Sequence, residues 1–260
     1  MGILDRFSLK GKTALVTGGA GPQFGSSISE GLAEAGATLI VASRSLIRCQ
    51  EFVAMLHQQS FDAHAMSVDI TDTASIRGLH DEVIRWFGRL DVLVNCAVSV
   101  KSGSFESQTP DDWLHGARGN MVGLMAACQC FIPDMLARRS GSIINVSSIY
   151  GAVANDPTLY VGTDMKQPPD YTFVKAGMVN FTRYLANYYG KHGIRANCIS
   201  PGGYFNNQPE PFLRRYCERV PIGRMLDRED IKGAAAFLAS EASAYVTGLN
   251  LMVDGGWTSL

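Results

Sequence analysis

Lys12-Thr13-Ala14-Leu15-Val16-Thr17 runs directly into Gly18-Gly19-Ala20-Gly21-Pro22-Gln23-Phe24-Gly25, and the reading of this stretch decides the fold. The first part is a short apolar run that ends in glycines, the pattern of a buried parallel strand. Ser26 to Gly36 follows with helical spacing. A strand, a glycine loop and a helix in that order form a phosphate-binding opening. Glycines let backbone N–H groups approach a pyrophosphate at a helix N-terminus. The plainer alternative is a tight strand-to-helix turn. Its place at the head of a βαβ unit favours Gly18, Gly21 and Gly25 as cofactor-binding residues.

Outward from there, strands alternate with helix-length segments. Thr38 to Ser43 (TLIVAS) is the second strand, Ala63 to Val68 the third and Asp91 to Val94 the fourth. Gly141 to Val146 is the fifth, Gly193 to Ser200 the sixth and Gly248 to Val253 the last. Helices are expected over 73–88, 110–138, 171–189, 211–218 and 227–239. The alternation predicts an α/β, doubly wound parallel sheet with helices on both faces. With no repeat, low-complexity tract or linker, residues 1–260 are expected to form a single dinucleotide-binding domain. Two excursions, near 152–170 and 204–220, fit neither period. Asn120 sits between Gly119 and Gly123 inside the 110–138 helix, which predicts a local backbone disturbance.

After the second strand, a site for NAD usually presents an acidic residue to the ribose hydroxyls. This chain presents Ser43 and Arg44. A guanidinium can pair with a 2′-phosphate, worth about 1.5–3 kcal/mol as a charge-assisted bond. NADP is therefore the preferred cofactor, with NAD the alternative. Asp69, at the end of the third strand, either touches the adenine or helps to start the next helix.

Tyr171-Thr172-Phe173-Val174-Lys175 places a phenol and an ammonium one helical turn apart. Such pairs are usually only a solvated helix face. A free phenol has a pKa of about 10, and bringing it near 7 requires about 4 kcal/mol of differential stabilisation. A neighbouring ammonium acts in that direction, and the phenol can then exchange a proton with a carbonyl or alcohol oxygen.

Composition sets the bounds. The chain has 260 residues, 46% of them hydrophobic, and a net charge of −1, which suits a large core. Near-neutral charge argues against nucleic acid or an anionic membrane as the main partner. Six cysteines lie mostly in apolar runs without zinc-site spacing, so a reduced cytoplasmic protein without a metal site is expected. The N-terminus lacks the apolar core of a signal peptide, and Arg6 breaks a myristoylation pattern. No run of 18 apolar residues occurs, so no membrane span is expected.

Thr17-Gly18 with its glycine loop, Asp69, Asn120, Ser148, Tyr171-x-x-x-Lys175 and Pro201-Gly202 occur in order along the chain. This joint pattern resembles the short-chain dehydrogenase/reductase family over nearly the whole length. The resemblance implies a Rossmann-type sheet of seven strands in order 3-2-1-4-5-6-7. It also implies hydride transfer between nicotinamide and a carbonyl/alcohol pair. By the same resemblance, Tyr171 is the general acid or base, and Lys175 depresses its pKa and binds the nicotinamide ribose. Ser148 holds the substrate oxygen, Asn120 anchors a relay water, Asn95 adjoins the cofactor and Pro201-Gly202 passes beside the nicotinamide. The family also implies a homo-oligomer, dimer or tetramer, built on the long helices.

Three departures stand out. The glycine loop fits T-G-x-x-x-G-x-G only with one extra residue, leaving Gln23 where glycine is expected and Gly21 as a substitute. The fourth strand ends Asn95-Cys96-Ala97-Val98 rather than in Asn-Asn-Ala-Gly. The Ser148–Tyr171 separation is about ten residues longer than usual, a loop insertion beside the substrate. That insertion, with Asn206 to Phe212, looks like members near sugar-acid dehydrogenases. Asn206, Asn207, Gln208, Asp156 and Asp164 either meet a polyhydroxylated substrate or only solvate two loops. The leading reading is an NAD(P)-dependent oxidoreductase of a sugar-like or hydroxy-acid small molecule. The alternatives are a 3-oxoacyl-thioester reductase and a non-catalytic NAD(P)-binding regulatory protein.

Overall fold

The computed structural model describes residues 2–259; Met1 and Leu260, the ends of the predicted domain, lie outside it. Seven strands form one parallel sheet: β1 Thr13–Thr17, β2 Thr38–Ser43, β3 Ala63–Ser67, β4 Val92–Asn95, β5 Gly141–Val146, β6 Ile194–Pro201 and β7 Asn250–Val253. Their order is β3-β2-β1-β4-β5-β6-β7. β1 is central, with Val16 beside Val41 on one flank and Val94 on the other. Its side chains alternate between the faces. Leu15 joins a core with Ile76 and Leu79, while Ala14 and Val16 join one with Ile28 and Leu32. Both faces are covered, which is why the strands read as near-continuous apolar runs.

One face is covered by α3 (Thr73–Phe87), α5 (Leu124–Arg138) and α6 (Pro169–Tyr189). The other is covered by α1 (Phe24–Glu34), α2 (Leu46–Gln58) and α8 (Lys232–Ala239). Asp72 caps α3 by accepting from Ala74 N–H at 2.8 Å, and Gly88 closes it at φ +71°.

Three expectations change. The helix expected over 110–138 is α4 (Pro110–Ala117), a π-helical turn over Arg118–Gly123, and then α5. The stretch Pro110–Arg138 has the length and composition to cross a membrane, but half of its most apolar window is buried inside the molecule. Its Phe131, Ile132 and Met135 pack in the core, as a core helix requires. The helix expected from Asp227 starts only at Lys232. Before it, Asp230 and Asp227 capture the N–H groups of Asp227 and Glu229 in short turns that compete with helix. The first excursion, beside the sheet's carboxyl edge, holds a 3-10 turn, Pro157–Tyr160, capped by Asp156. The second holds α7 (Glu210–Arg219).

Candidate active site

The carboxyl ends of β1 to β4 open onto a cleft of about 440 Å³. Gly18, Gly21, Gln23, Phe24 and Gly25 form one wall, and Ser43, Arg44, Asp69 and Thr71 another. Cys96, Ala97, Val98 and Ser99 complete it. Gly18 has φ +69°, and a Cβ there would meet Ala97 Cα at 2.8 Å. A Cβ on Gly25 would collide with the Gly18 carbonyl oxygen. The glycines therefore hold the loop flat against the fourth strand's exit while α1 begins over it. The extra residue is absorbed by a turn in which Gly21 N–H donates to Gly18 O at 2.9 Å. Ser26 N–H then donates to Gly21 O at 2.9 Å. A bare-backbone cradle, a helix N-terminus and an elongated cleft fit a dinucleotide.

Arg44 is exposed at the cleft's edge, whereas the Ser43 hydroxyl is turned inward, donating to Ser45 O at 3.2 Å. Arg44 is thus the freer group at this corner. Asp69 accepts from Thr71 N–H and hydroxyl at 2.9 and 2.8 Å, which hold its carboxyl below the usual range. Asp69 both lines the cleft and shapes the turn before α3. The Asn95 side chain does not line the cleft: its amide donates to Asn145 Oδ1 at 2.9 Å in the core, and the wall there is Cys96 and Ala97. Pro201 and Gly202 end β6 away from this cleft, Gly202 lining a separate hollow with Asp254. Residues missed from sequence, Gln23, Phe24, Thr71 and Ser99, occupy the strand-end loops where ligands collect in such sheets.

Beyond Cys96, β5 and α6 bring Ser148, Tyr171 and Lys175 together. Ser147 is spent on scaffolding, its hydroxyl donating to Lys175 O at 2.9 Å, which ties α6 to the sheet. Ser148 instead starts a 3-10 turn, Ile149–Gly151, accepting from Tyr150 N–H at 3.2 Å. Its hydroxyl also favours ionisation of the Tyr171 phenol. Lys175 is buried, its Nζ donating to Val146 O at 2.6 Å and lying 5.5 Å from the Tyr171 ring centre.

The expected lowering of the phenol's pKa is not found in the chain by itself. Burial raises the Tyr171 pKa above its ordinary value, and the nearby Ser148 hydroxyl offsets this only in part. Burial also lowers Lys175 to about 8, so the ammonium that would oppose it is itself destabilised. Asn120 is equally committed. Its amide nitrogen donates to Ser99 O and, at 2.9 Å, to Gly116 O, while its oxygen accepts from Ser99 N–H at 3.1 Å. Both amide hydrogens are engaged, so this side chain fixes the Ser99 loop at the cleft's end rather than presenting a free donor.

The family model described as enoyl-(acyl carrier protein) reductase matches residues 19–258. The 2,5-dichloro-2,5-cyclohexadiene-1,4-diol dehydrogenase LinX of Sphingobium indicum is 31% identical over 254 residues, covering 96% of this chain and 97% of the relative. The 3-oxoacyl-[acyl-carrier-protein] reductase FabG of Staphylococcus aureus is 31% identical over 250 residues, covering 94% and 97%. A crystal structure of a gluconate 5-dehydrogenase from Burkholderia cenocepacia, in complex with NADP and tartrate, superposes with a TM-score of 0.88. It is 31% identical, with full coverage of both chains. With this sheet order, glycine cradle and serine–tyrosine–lysine cluster, the chain belongs to the short-chain dehydrogenase/reductase family and is an oxidoreductase of CH–OH groups that uses NADP or NAD.

Proposed function

We propose that Tyr171, Ser148 and Lys175 perform reversible oxidation of a secondary alcohol, with NADP preferred through Arg44. Gly18, Gly21, Gly25, Asp69 and the α1 N-terminus would hold the dinucleotide along the cleft. The bound nicotinamide supplies hydride exchange and, when oxidised, a positive charge. Ser148 accepts or donates a hydrogen bond at the substrate oxygen, and Tyr171 takes the alcohol proton or returns it to the carbonyl. Lys175, when protonated, favours the phenolate. The observation that carries this reading is the buried Tyr171 phenol beside the Ser148 hydroxyl, with the Lys175 ammonium one turn below.

The substrate is sugar-like or a hydroxy acid, in keeping with the gluconate 5-dehydrogenase and diol dehydrogenase among the relatives. A second reading, a 3-oxoacyl-thioester reductase, is favoured by the FabG relative and by the apolar surroundings of Tyr171. The protein works in the cytoplasm as a single-domain subunit of a homo-oligomer, joined through the apolar outer faces of α4–α6. We expect Tyr171→Phe to lower kcat by 10³-fold or more while cofactor affinity stays within about threefold. Absorbance at 340 nm and cofactor titration measure the two. Turnover retained in Tyr171→Phe would overturn the assignment. Tight cofactor binding with silence across ketoses, sugar acids and β-ketoesters would favour a regulatory protein.

A further inference from the structure

On the far side of Tyr171 from the cleft lies an aromatic cluster of Tyr150, Tyr160, Phe212, Tyr216 and Trp257. Tyr150 follows Ser148 in the 3-10 turn, and its N–H holds the Ser148 hydroxyl. Tyr160 ends the turn Pro157–Tyr160 within the insertion. Their phenol oxygens lie 2.9 Å apart, and neither has another hydrogen-bond partner among the described residues. Two hydroxyls that bond to each other use one hydrogen and leave one without an acceptor. Burial keeps both phenols protonated, so that spare hydrogen is permanent. A part-buried donor left unmatched is costly, and the most direct remedy is a ligand oxygen.

The surroundings of the pair are rigid and apolar. Tyr160 packs on Phe212 at 5.4 Å between ring centres, and Tyr216 stacks on Trp257 at 4.6 Å. The Arg219 guanidinium lies 4.6 Å over Trp257 and pairs with Asp156. Arg215 donates to the carbonyls of Leu159 and Val161. The insertion and α7 are thereby locked into one wall. The polar residues expected to meet a polyol do not provide its inner surface. Asp156 is engaged by Thr158 and Arg219, and Gln208 by Asn206 N–H and Tyr204 O. Asn206, Asn207 and Asp164 are exposed.

We propose that Tyr150 and Tyr160 are specificity-determining residues, and that the substrate is a cyclic secondary alcohol or ketone whose ring carries a second oxygen. This deepens the dehydrogenase reading above and rests on it. The ring's C–H face suits the aromatic wall, and the second oxygen takes the spare phenol hydrogen. An open-chain polyol would bring hydroxyls that this wall leaves unpaired.

The test uses the full chain with cyclohexane-1,4-diol, cyclohexanol and gluconate as substrates, comparing wild type with Tyr160→Phe and Tyr150→Phe. Phenylalanine keeps the ring packing and removes only the hydroxyl. Initial rates are read at 340 nm, and diol binding to the cofactor-saturated protein by calorimetry. We expect wild-type kcat/KM for the diol to exceed that for cyclohexanol and gluconate by about tenfold or more. Each variant should lower the diol-to-cyclohexanol ratio about tenfold, chiefly through KM, with a matching loss in calorimetric affinity. Gluconate preferred over both cyclic alcohols would overturn the ring class and leave the dehydrogenase reading intact. An unchanged ratio in both variants would overturn the role of the phenols. No turnover of any substrate and no diol binding would overturn the ring class, and the dehydrogenase reading is then judged by the wider panel above.

Discussion

Lys175 carries an ammonium that burial makes expensive, and this has a measurable sign. Its pKa falls to about 8 in the folded chain, below the ordinary value near 10.5. Below pH 8 both folded and unfolded chains hold the proton, and the folded one bears the full cost. Between pH 8 and 10.5 the folded chain has released it while the unfolded one keeps it, so stability rises with pH. We therefore expect cofactor-free Lys175→Met to be more stable than wild type at pH 7, by up to ~3 kcal/mol less what the Val146 carbonyl loses. The gap should close by pH 10. Urea unfolding across that range measures it, and a constant gap would show that the buried charge is not the cause. Arg44 makes a different kind of residue-scale claim. We expect Arg44→Asp to cut the NADP-to-NAD preference in kcat/KM by about tenfold or more. Equal selectivity before and after would make Arg44 ordinary surface. The Tyr171/Lys175 spacing was legible in sequence because four residues make one helical turn. The direction of the phenol's shift was not, because burial depends on Cys96, Tyr160 and other residues distant in sequence.

At the scale of elements, the π-helical turn Arg118–Gly123 decides how closely α4–α5 approaches the cleft. A Cβ on Gly123 would collide with the Ile70 carbonyl oxygen, and one on Gly119 with the Ser99 side chain. Backbone therefore rests on backbone at the turn that carries Asn120. We expect Gly123→Ala to destabilise the fold by about 2–3 kcal/mol and to lower kcat through displacement of Asn120. Chemical unfolding and steady-state rates measure the two effects, and wild-type values for both would show that the contact yields freely. Gly119, Asn120 and Gly123 gave away that the helix is disturbed, since helix-weakening residues cluster there. The type of disturbance depends on Ile70 and Ser99, which are remote in sequence. The late start of α8 was hidden for a local reason. Asp227 and Asp230 resemble the acidic opening of a helix, yet their carboxylates hold turns instead.

For the whole molecule, alternation of strand and helix was enough to reveal a parallel α/β sheet, but not the order of its strands. The order came only from the resemblance, because periodicity says which face of a strand is buried and nothing about its neighbours. The wall around Tyr171 was least legible, since Trp257, Tyr216 and Tyr160 meet only after the chain has folded. Met121, Met125, Phe173, Tyr184 and Tyr188 leave large apolar surfaces exposed on α5, α6 and the π turn. We expect sedimentation to show a dimer or tetramer, and Tyr188→Glu with Met125→Glu to shift it toward monomer. A wild-type monomer at micromolar concentration would remove this interface. The stacking of Trp257 on Tyr216, beneath Arg219, has an optical consequence. Of the three indoles, Trp86 is exposed and Trp113 half-buried, so the shielded, blue-shifted emission belongs to Trp257. The protein thus contains an intrinsic fluorophore under its own reaction chamber, and the arrival of a guest there can be followed without attaching a dye.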